Sequence, residues 1–125
     1  FLTLCQRRNI PMAVATSSQT EKAKLFLTRA GLIDFFDVII GGDQVSNGKP
    51  QPDIYLKAAD ALSVAPADCL AIEDSDNGVM AAYHAGAQTV QIPDLVPQTA
   101  AAAALNIPLV SSMTDLPAYL GWTAD

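Results

Sequence analysis

Cys69-Leu70-Ala71-Ile72-Glu73-Asp74-Ser75-Asp76-Asn77-Gly78 is the stretch on which the fold turns. Leu70, Ala71 and Ile72 form a short apolar run that ends in two adjacent carboxylates, and a helix of small residues begins at about Asp76. A short apolar run bounded by turn signals reads as a buried strand. Acids at its carboxyl end then stand at the edge of a parallel sheet, where open α/β proteins place their ligands. Glu73 and Asp74 are hard oxygen donors of the kind that hold Mg²⁺ beside a phosphate. Taken alone, they are equally a solvated loop with incidental acids.

Working back toward the start, strand and helix signals alternate. Met12–Ala15 reads as a strand that stops at Thr16-Ser17-Ser18. Ser18 with Glu21 three residues later predicts a capping box. The helix behind it sets Ala23, Phe26, Leu27 and Ala30 at the spacing of a buried face and ends at Gly31 as a left-handed cap. Phe35 to Ile40 is the next strand region, and the loop from Asp43 to Pro52 holds Gly48-Lys49-Pro50-Gln51-Pro52. Pro52 suits the first turn of a helix with Tyr55, Ala58, Ala59 and Leu62 on one face.

Forward of the opening stretch, Gly78, Ala81, Ala82 and Ala85 form a small-residue stripe that lets the helix lie close to the sheet. Gly86 caps that helix and Thr89–Ile92 is a strand. Thr99–Leu105 reads as a helix, Leu109-Val110 as a short edge strand and Leu116–Leu120 as a last helical turn or two. Alternation of this kind predicts a parallel sheet with helices on both faces.

Composition sets the bounds. At 125 residues, half of them hydrophobic and 16% charged, the chain is one globular domain with a real core. A net charge of −6 disfavours nucleic acid or an anionic membrane surface as partner. An anionic substrate stays open, because a local metal or lysine can reverse the field at one site. Cys5 and Cys69 have neither CxxC nor zinc-type spacing, so a reducing, cytoplasmic compartment is expected, with Cys69 a buried thiol. No uncharged stretch is long enough to span a membrane, and Arg7-Arg8 after the apolar start reverses the charge order of a signal peptide. The chain opens without Met in what reads as a helix, so a preceding segment is expected.

Three polar clusters fall just past predicted strand ends, or in the loop leading to the next helix: Thr16-Ser17-Ser18, Lys49, and Glu73-Asp74. In a parallel sheet these ends lie on one side, so distant residues converge on one crevice. Thr16 offers a hydroxyl, and the amides of Ser17 and Ser18 at a helix start favour an anion. Lys49 supplies a compact positive charge for phosphoryl oxygens or a carboxylate. Glu73 and Asp74 can hold a metal that neutralises charge developing in phosphoryl transfer. Singly, each has a plainer reading: a helix cap, an exposed loop lysine, first-turn acids. Ser75 reads as an N-cap, Asp76 as an acid favoured by the helix dipole, and His84 as a surface or packing residue. The conjunction carries the weight.

With all three clusters in place, the chain resembles the haloacid dehalogenase-like superfamily, β-phosphoglucomutase-like phosphatase branch. The resemblance runs from Val14-Ala15-Thr16-Ser17-Ser18 through Gly48-Lys49-Pro50-Gln51-Pro52-Asp53-Ile54-Tyr55 to Ile72-Glu73-Asp74-Ser75-Asp76-Asn77-Gly78-Val79-Met80-Ala81-Ala82. It implies a three-layer Rossmann-like α/β fold and a Mg²⁺-dependent phosphatase acting on a small phosphorylated metabolite such as a sugar phosphate. It also implies that Thr16 and the Ser17 amide bind the transferring phosphate, with Ser18 beside them. Lys49 would steady nucleophile and phosphoryl group, and Glu73 and Asp74 would bind Mg²⁺. A phosphomutase of the same branch is the alternative. A non-catalytic interaction or regulatory domain follows instead if 125 residues is the whole protein.

One departure is large. The family's first motif, Asp-x-Asp-Gly-Thr/Ser, is absent, and the lone Asp-x-Asp here is Asp74-Ser75-Asp76. By resemblance that motif supplies the aspartyl-phosphate nucleophile and the general acid/base. The substrate-selecting helical cap, which follows it in the family, is missing as well. Residues 1–125 are therefore expected to be the carboxyl-terminal part of a core domain, inactive alone and monomeric when full length. A gap, or another segment, is expected between the strands ending at Thr16 and Asp74.

Overall fold

Two parallel strand pairs organise the computed structural model, which describes residues 1–93 and 98–122. After the short helix α1 (Leu2–Arg7), strand β1 (Ala13–Ala15) pairs with β2 (Val38–Ile40), setting Val14 opposite Ile39. Their crossover is helix α2 (Thr20–Arg29). Helix α3 (Asp53–Ala61) follows, and β3 (Leu70–Glu73) pairs with β4 (Gln88–Gln91) through the crossover helix α4 (Asp76–His84). Helices α5 (Ala100–Ala104) and α6 (Leu116–Tyr119) complete the described chain. A lone parallel bridge from Gln91 to Leu109 stands where the edge strand was expected. The architecture is the anticipated α/β, Rossmann-like one.

Buried aliphatic side chains hold each half. Ile40, Ile54 and Ala58 form the cluster beneath β1 and β2. Val90, Val110 and Leu116 form another beside β4, and Val79, Ala102 and Ile107 join α4 to α5. Full burial of a side chain such as Ile54, 1% exposed, stabilises by roughly 1.5–3 kcal/mol. The small stripe of α4 is buried along its length, as its composition predicts, and α4 packs on β3, β4 and α3.

Local stop signals act as read. Gly31 (φ +72) and Gly86 (φ +88) take the left-handed conformation after α2 and α4. Leu32 N donates to Leu27 O at 2.8 Å and Gly31 N to Thr28 O at 3.1 Å, the paired bonds of a Schellman cap. Ser75 caps α4 by accepting from Gly78 N at 3.2 Å.

Four expectations are corrected. Helix α2 starts at Thr20 with Gln19 as N-cap, so Ser18 and Glu21 form no capping box. Its buried face is Thr20 and Leu27, seven residues apart, while Phe26 is 69% exposed. Thr20 can be buried because its hydroxyl is fully bonded, which an apolar pattern does not register. Phe35 belongs to a 3₁₀ turn (Ile33–Phe35) that precedes the strand. Cys69 is half-buried, since β3 begins one residue later, whereas Cys5 is the buried thiol.

Strands β1 and β3 share no ladder. Between them lies a cavity of about 630 Å³, walled by Ala13–Ala15 and Leu70–Ile72, with Tyr55 and Ala58 of α3 along it. This is the gap that the reading of the sequence anticipated.

Candidate active site

The carboxyl ends of β1 and β3 meet at the mouth of that gap, joined there by a loop lysine. Lys49 lies in the loop before α3, after which its peptide to Pro50 is cis. The loop turns its ammonium inward: Nζ donates to Glu73 Oε2 at 2.7 Å and to the Ala15 carbonyl at 3.1 Å. One lysine thus ties the carboxyl end of β1 to that of β3. Only 11% of the Lys49 side chain and 8% of the Glu73 side chain are exposed, so this is a shielded pair.

Tyr55 completes the cluster. Its hydroxyl donates to the same Glu73 Oε2, and its ring lies 5.4 Å from Lys49 Nζ. Burial, then the negative charge of Glu73, push the phenol well above its ordinary range, so it stays protonated and acts as a donor. The other side of the Glu73 carboxylate rests on Gly78: a Cβ there would come within 1.9 Å of Oε1. A residue at 78 with any side chain would displace the carboxylate.

The Thr16–Ser18 turn stands at the end of β1. Thr16 N donates to Ile40 O at 3.0 Å, continuing the ladder by one residue. Ser18 N donates to Thr16 Oγ1 at 3.1 Å, which fills an acceptor position on that hydroxyl and leaves its proton to be donated elsewhere. Ser17 and Ser18 are exposed, and the Ser17 amide makes no hydrogen bond among the described residues. The Ser18 amide, by contrast, is already engaged. The Ser17 amide is therefore the more open of the pair expected to meet an anion.

Asp74 is exposed at the end of β3 and makes no hydrogen bond or ion pair among the described residues. Asp76 accepts from the Thr99 hydroxyl, linking α4 to α5. His84 is exposed, as expected of a surface residue. Among the described residues no three metal-ligating side chains form a group. The two carboxylates still fit Mg²⁺, which keeps several waters and takes one or two carboxylates plus phosphate oxygens. Asp74 is open, and Glu73 is half-committed to Lys49 and Tyr55.

Tyr55, Gly78 and a Thr20–Asp43 contact were not read as parts of the site. The spacing places Tyr55 with Ala58, Ala59 and Leu62 on one helix face, and a partner 18 residues away leaves no local signal. Gly78 was read as part of the small stripe, and the carboxylate beneath it is a tertiary feature.

A parallel α/β core that gathers a hydroxyl turn, a partly buried lysine and paired acids at one edge defines a Rossmann-like class with its polar site at the strand ends. Within that class the chain belongs to the haloacid dehalogenase-like hydrolase family, whose profile matches residues 1–92. It falls in the β-phosphoglucomutase-like phosphatase branch. It is 42% identical over 89 residues to a phosphorylated carbohydrates phosphatase of Thermotoga maritima, covering 71% of this chain and 41% of that protein. It is also 42% identical over 83 residues to a beta-phosphoglucomutase of Bacillus subtilis, covering 66% of this chain and 37% of that protein. A crystal structure of a haloacid dehalogenase-family hydrolase from Deinococcus radiodurans, with bound phosphate and sodium, superposes with a TM-score of 0.86 at 30% identity. That match covers 96% of this chain and 56% of the other. The chain thus spans less than half the length of the curated relatives it matches.

Proposed function

We propose that this chain is the carboxyl-terminal part of a Mg²⁺-dependent phosphatase core acting on a small phosphorylated metabolite such as a sugar phosphate. The observation that carries the reading is Lys49, held between Ala15 O and Glu73 at the strand edge where Thr16 and Asp74 also stand. In this reading Thr16 donates its hydroxyl proton to a phosphoryl oxygen and the Ser17 amide donates beside it. Ser18 positions the Thr16 oxygen from behind. Lys49 neutralises phosphoryl charge, and Asp74, with Glu73 beside it, would hold Mg²⁺, whose charge offsets that developing in transfer.

The nucleophilic aspartate comes from a segment beyond these 125 residues. The cavity between β1 and β3 supports this, being flanked by two open parallel edges, and so does the greater length of the relatives. The covalent step would place the phosphoryl group on that aspartate and release the alcohol. A cytoplasmic, monomeric protein without nucleic-acid or membrane partners suits the acidic charge and two free cysteines. No helix among the described residues is long and apolar enough to cross a membrane.

The test is Mg²⁺-dependent release of phosphate from p-nitrophenyl phosphate by the protein that carries this chain. Lys49→Ala and Asp74→Asn are each expected to lower it by about 10²–10³-fold, the usual effect of removing one charge-stabilising group. Wild-type turnover by either variant overturns the assignment. A phosphomutase is the second reading, because identity to the Bacillus subtilis mutase equals that to the phosphatase. Conversion of one sugar phosphate isomer to another without phosphate release would favour it.

A further inference from the structure

The turn that carries Thr16, Ser17 and Ser18 is held only in part by its own bond from Ser18 N to Thr16 Oγ1. Helix α2 begins two residues later, and its N-cap Gln19 makes no side-chain capping bond. The cap comes instead from Asp43, in the loop after β2. Its Oδ1 accepts from Thr20 N at 2.7 Å and from Thr20 Oγ1 at 2.8 Å. The Thr20 hydroxyl in turn accepts from Gly41 N at 3.1 Å and from Gln44 Nε2 at 2.7 Å. One donor and two acceptor positions are thereby filled, which is the whole capacity of a hydroxyl. Gln44 Nε2 also donates to Ile39 O at 3.1 Å, anchoring the network to β2.

Backbone contacts lock the two loops at the same place. Gly42 N donates to Ser18 O at 2.8 Å. A Cβ on Gly42 would meet Ser17 O at 2.5 Å, and one on Gly41 would meet Thr20 N at 2.4 Å. The loops approach more closely than any side chain permits. The Ser18 amide keeps its local bond to Thr16 Oγ1, and the residues from 41 to 44 fix where the turn as a whole sits.

We infer that Asp43 is a positioning residue for the phosphate-binding turn: by capping α2 from the loop after β2, its carboxylate fixes where the Thr16–Ser18 donors point. This rests on the reading of that turn as a phosphate site. Asp43 touches no substrate in this arrangement and acts through Thr20. Both of its bonds use one oxygen as acceptor, so asparagine, which keeps an acceptor oxygen, substitutes for it, whereas alanine does not.

The experiment uses two readouts on the protein that carries this chain, wild type and Asp43→Ala, Asp43→Asn and Thr20→Val. Hydrogen exchange at the Thr20 and Ser18 amides reads loop geometry without ligand. Inorganic phosphate binding reads its use. Asp43→Ala is expected to speed exchange at both amides and weaken phosphate about tenfold, with Asp43→Asn restoring most of both. Thr20→Val keeps the amide-to-carboxylate bond and is expected to show a smaller effect in the same direction, which keeps the test open if Asp43→Ala does not fold. Unchanged Ser18 exchange and phosphate binding in Asp43→Ala, with only a lower melting temperature, would overturn the inference and leave Asp43 a helix cap. If wild type itself ignores phosphate while Ser18 exchange responds to Asp43, the phosphatase reading fails and the positioning role stands.

Discussion

Lys49 Nζ and Glu73 Oε2 stand 2.7 Å apart at the junction of the two strand pairs, though they are 24 positions apart in the chain. Both side chains are largely withdrawn from water, and the Ala15 carbonyl and Tyr55 hydroxyl satisfy further bonding positions. A shielded ion pair gains little over a well-packed apolar pair, because desolvation offsets attraction. Losing one partner is a different matter, since the other charge stays behind uncompensated.

Replacing Lys49 by alanine should therefore destabilise the fold by about 3–5 kcal/mol, toward the lower end because Tyr55 still donates to Glu73. Adding Glu73→Gln to that variant should recover part of the loss. Urea denaturation of the two single variants and the double variant gives the coupling directly, and strictly additive effects would show that the pair does not interact.

Gly78→Ala is expected to cost about 1–3 kcal/mol, because the new methyl must drive the Glu73 carboxylate off its seat. Gly48→Ala is the control, with nothing within 4 Å of its Cβ. Equal denaturation midpoints for these two variants would remove the claimed contact between position 78 and Glu73.

Ser75→Ala should lower stability by about 1 kcal/mol through loss of the α4 cap, and Ser75→Asp should preserve it. Both are read as shifts in a thermal or urea midpoint. A neutral alanine variant would mean that water serves Gly78 N as well as the serine does.

Acid should loosen the start of α2. The bonds from the Thr20 backbone and side chain hold the Asp43 carboxyl below its ordinary value of 3.8. A carboxyl with a depressed folded pKa contributes stability that is present above 3.8 and lost as pH falls through the lower folded value. Melting temperature followed from pH 5 downward should fall more steeply in wild type than in Asp43→Asn below that ordinary value. Parallel curves would show that Asp43 is not a source of acid sensitivity.

Much of the architecture was legible residue by residue. Ser75 before a small-residue helix, Gly31 and Gly86 after helices, and Leu70–Ile72 ahead of two acids are signals spanning a few positions. The caps close their hydrogen bonds within one turn, while Leu70–Ile72 is marked by its apolar run and pairs with β4. The convergence of Thr16, Lys49 and Glu73-Asp74 was legible for a related reason: parallel strands force successive carboxyl ends to one edge.

What each of those groups touches was settled by packing. Ser18 and Glu21 have the spacing of a capping box, yet Asp43, 23 residues from Thr20, holds the helix start. Phe26 looks like core and is exposed, because the sheet receives Thr20 and Leu27 instead. Tyr55 looks like a core residue and is a donor to Glu73. The sequence by itself determined the order of strands and helices, the caps at Gly31, Ser75 and Gly86, which rest on bonds between near neighbours, and the edge at which polar groups collect, which parallel topology dictates. Only the tertiary structure decided that Lys49 closes on Glu73, that Gly78 makes room for the carboxylate, and that the space between β1 and β3 is a gap rather than a filled one. Those outcomes depend on which surfaces meet, and a contact across two dozen residues has no local bond to announce it.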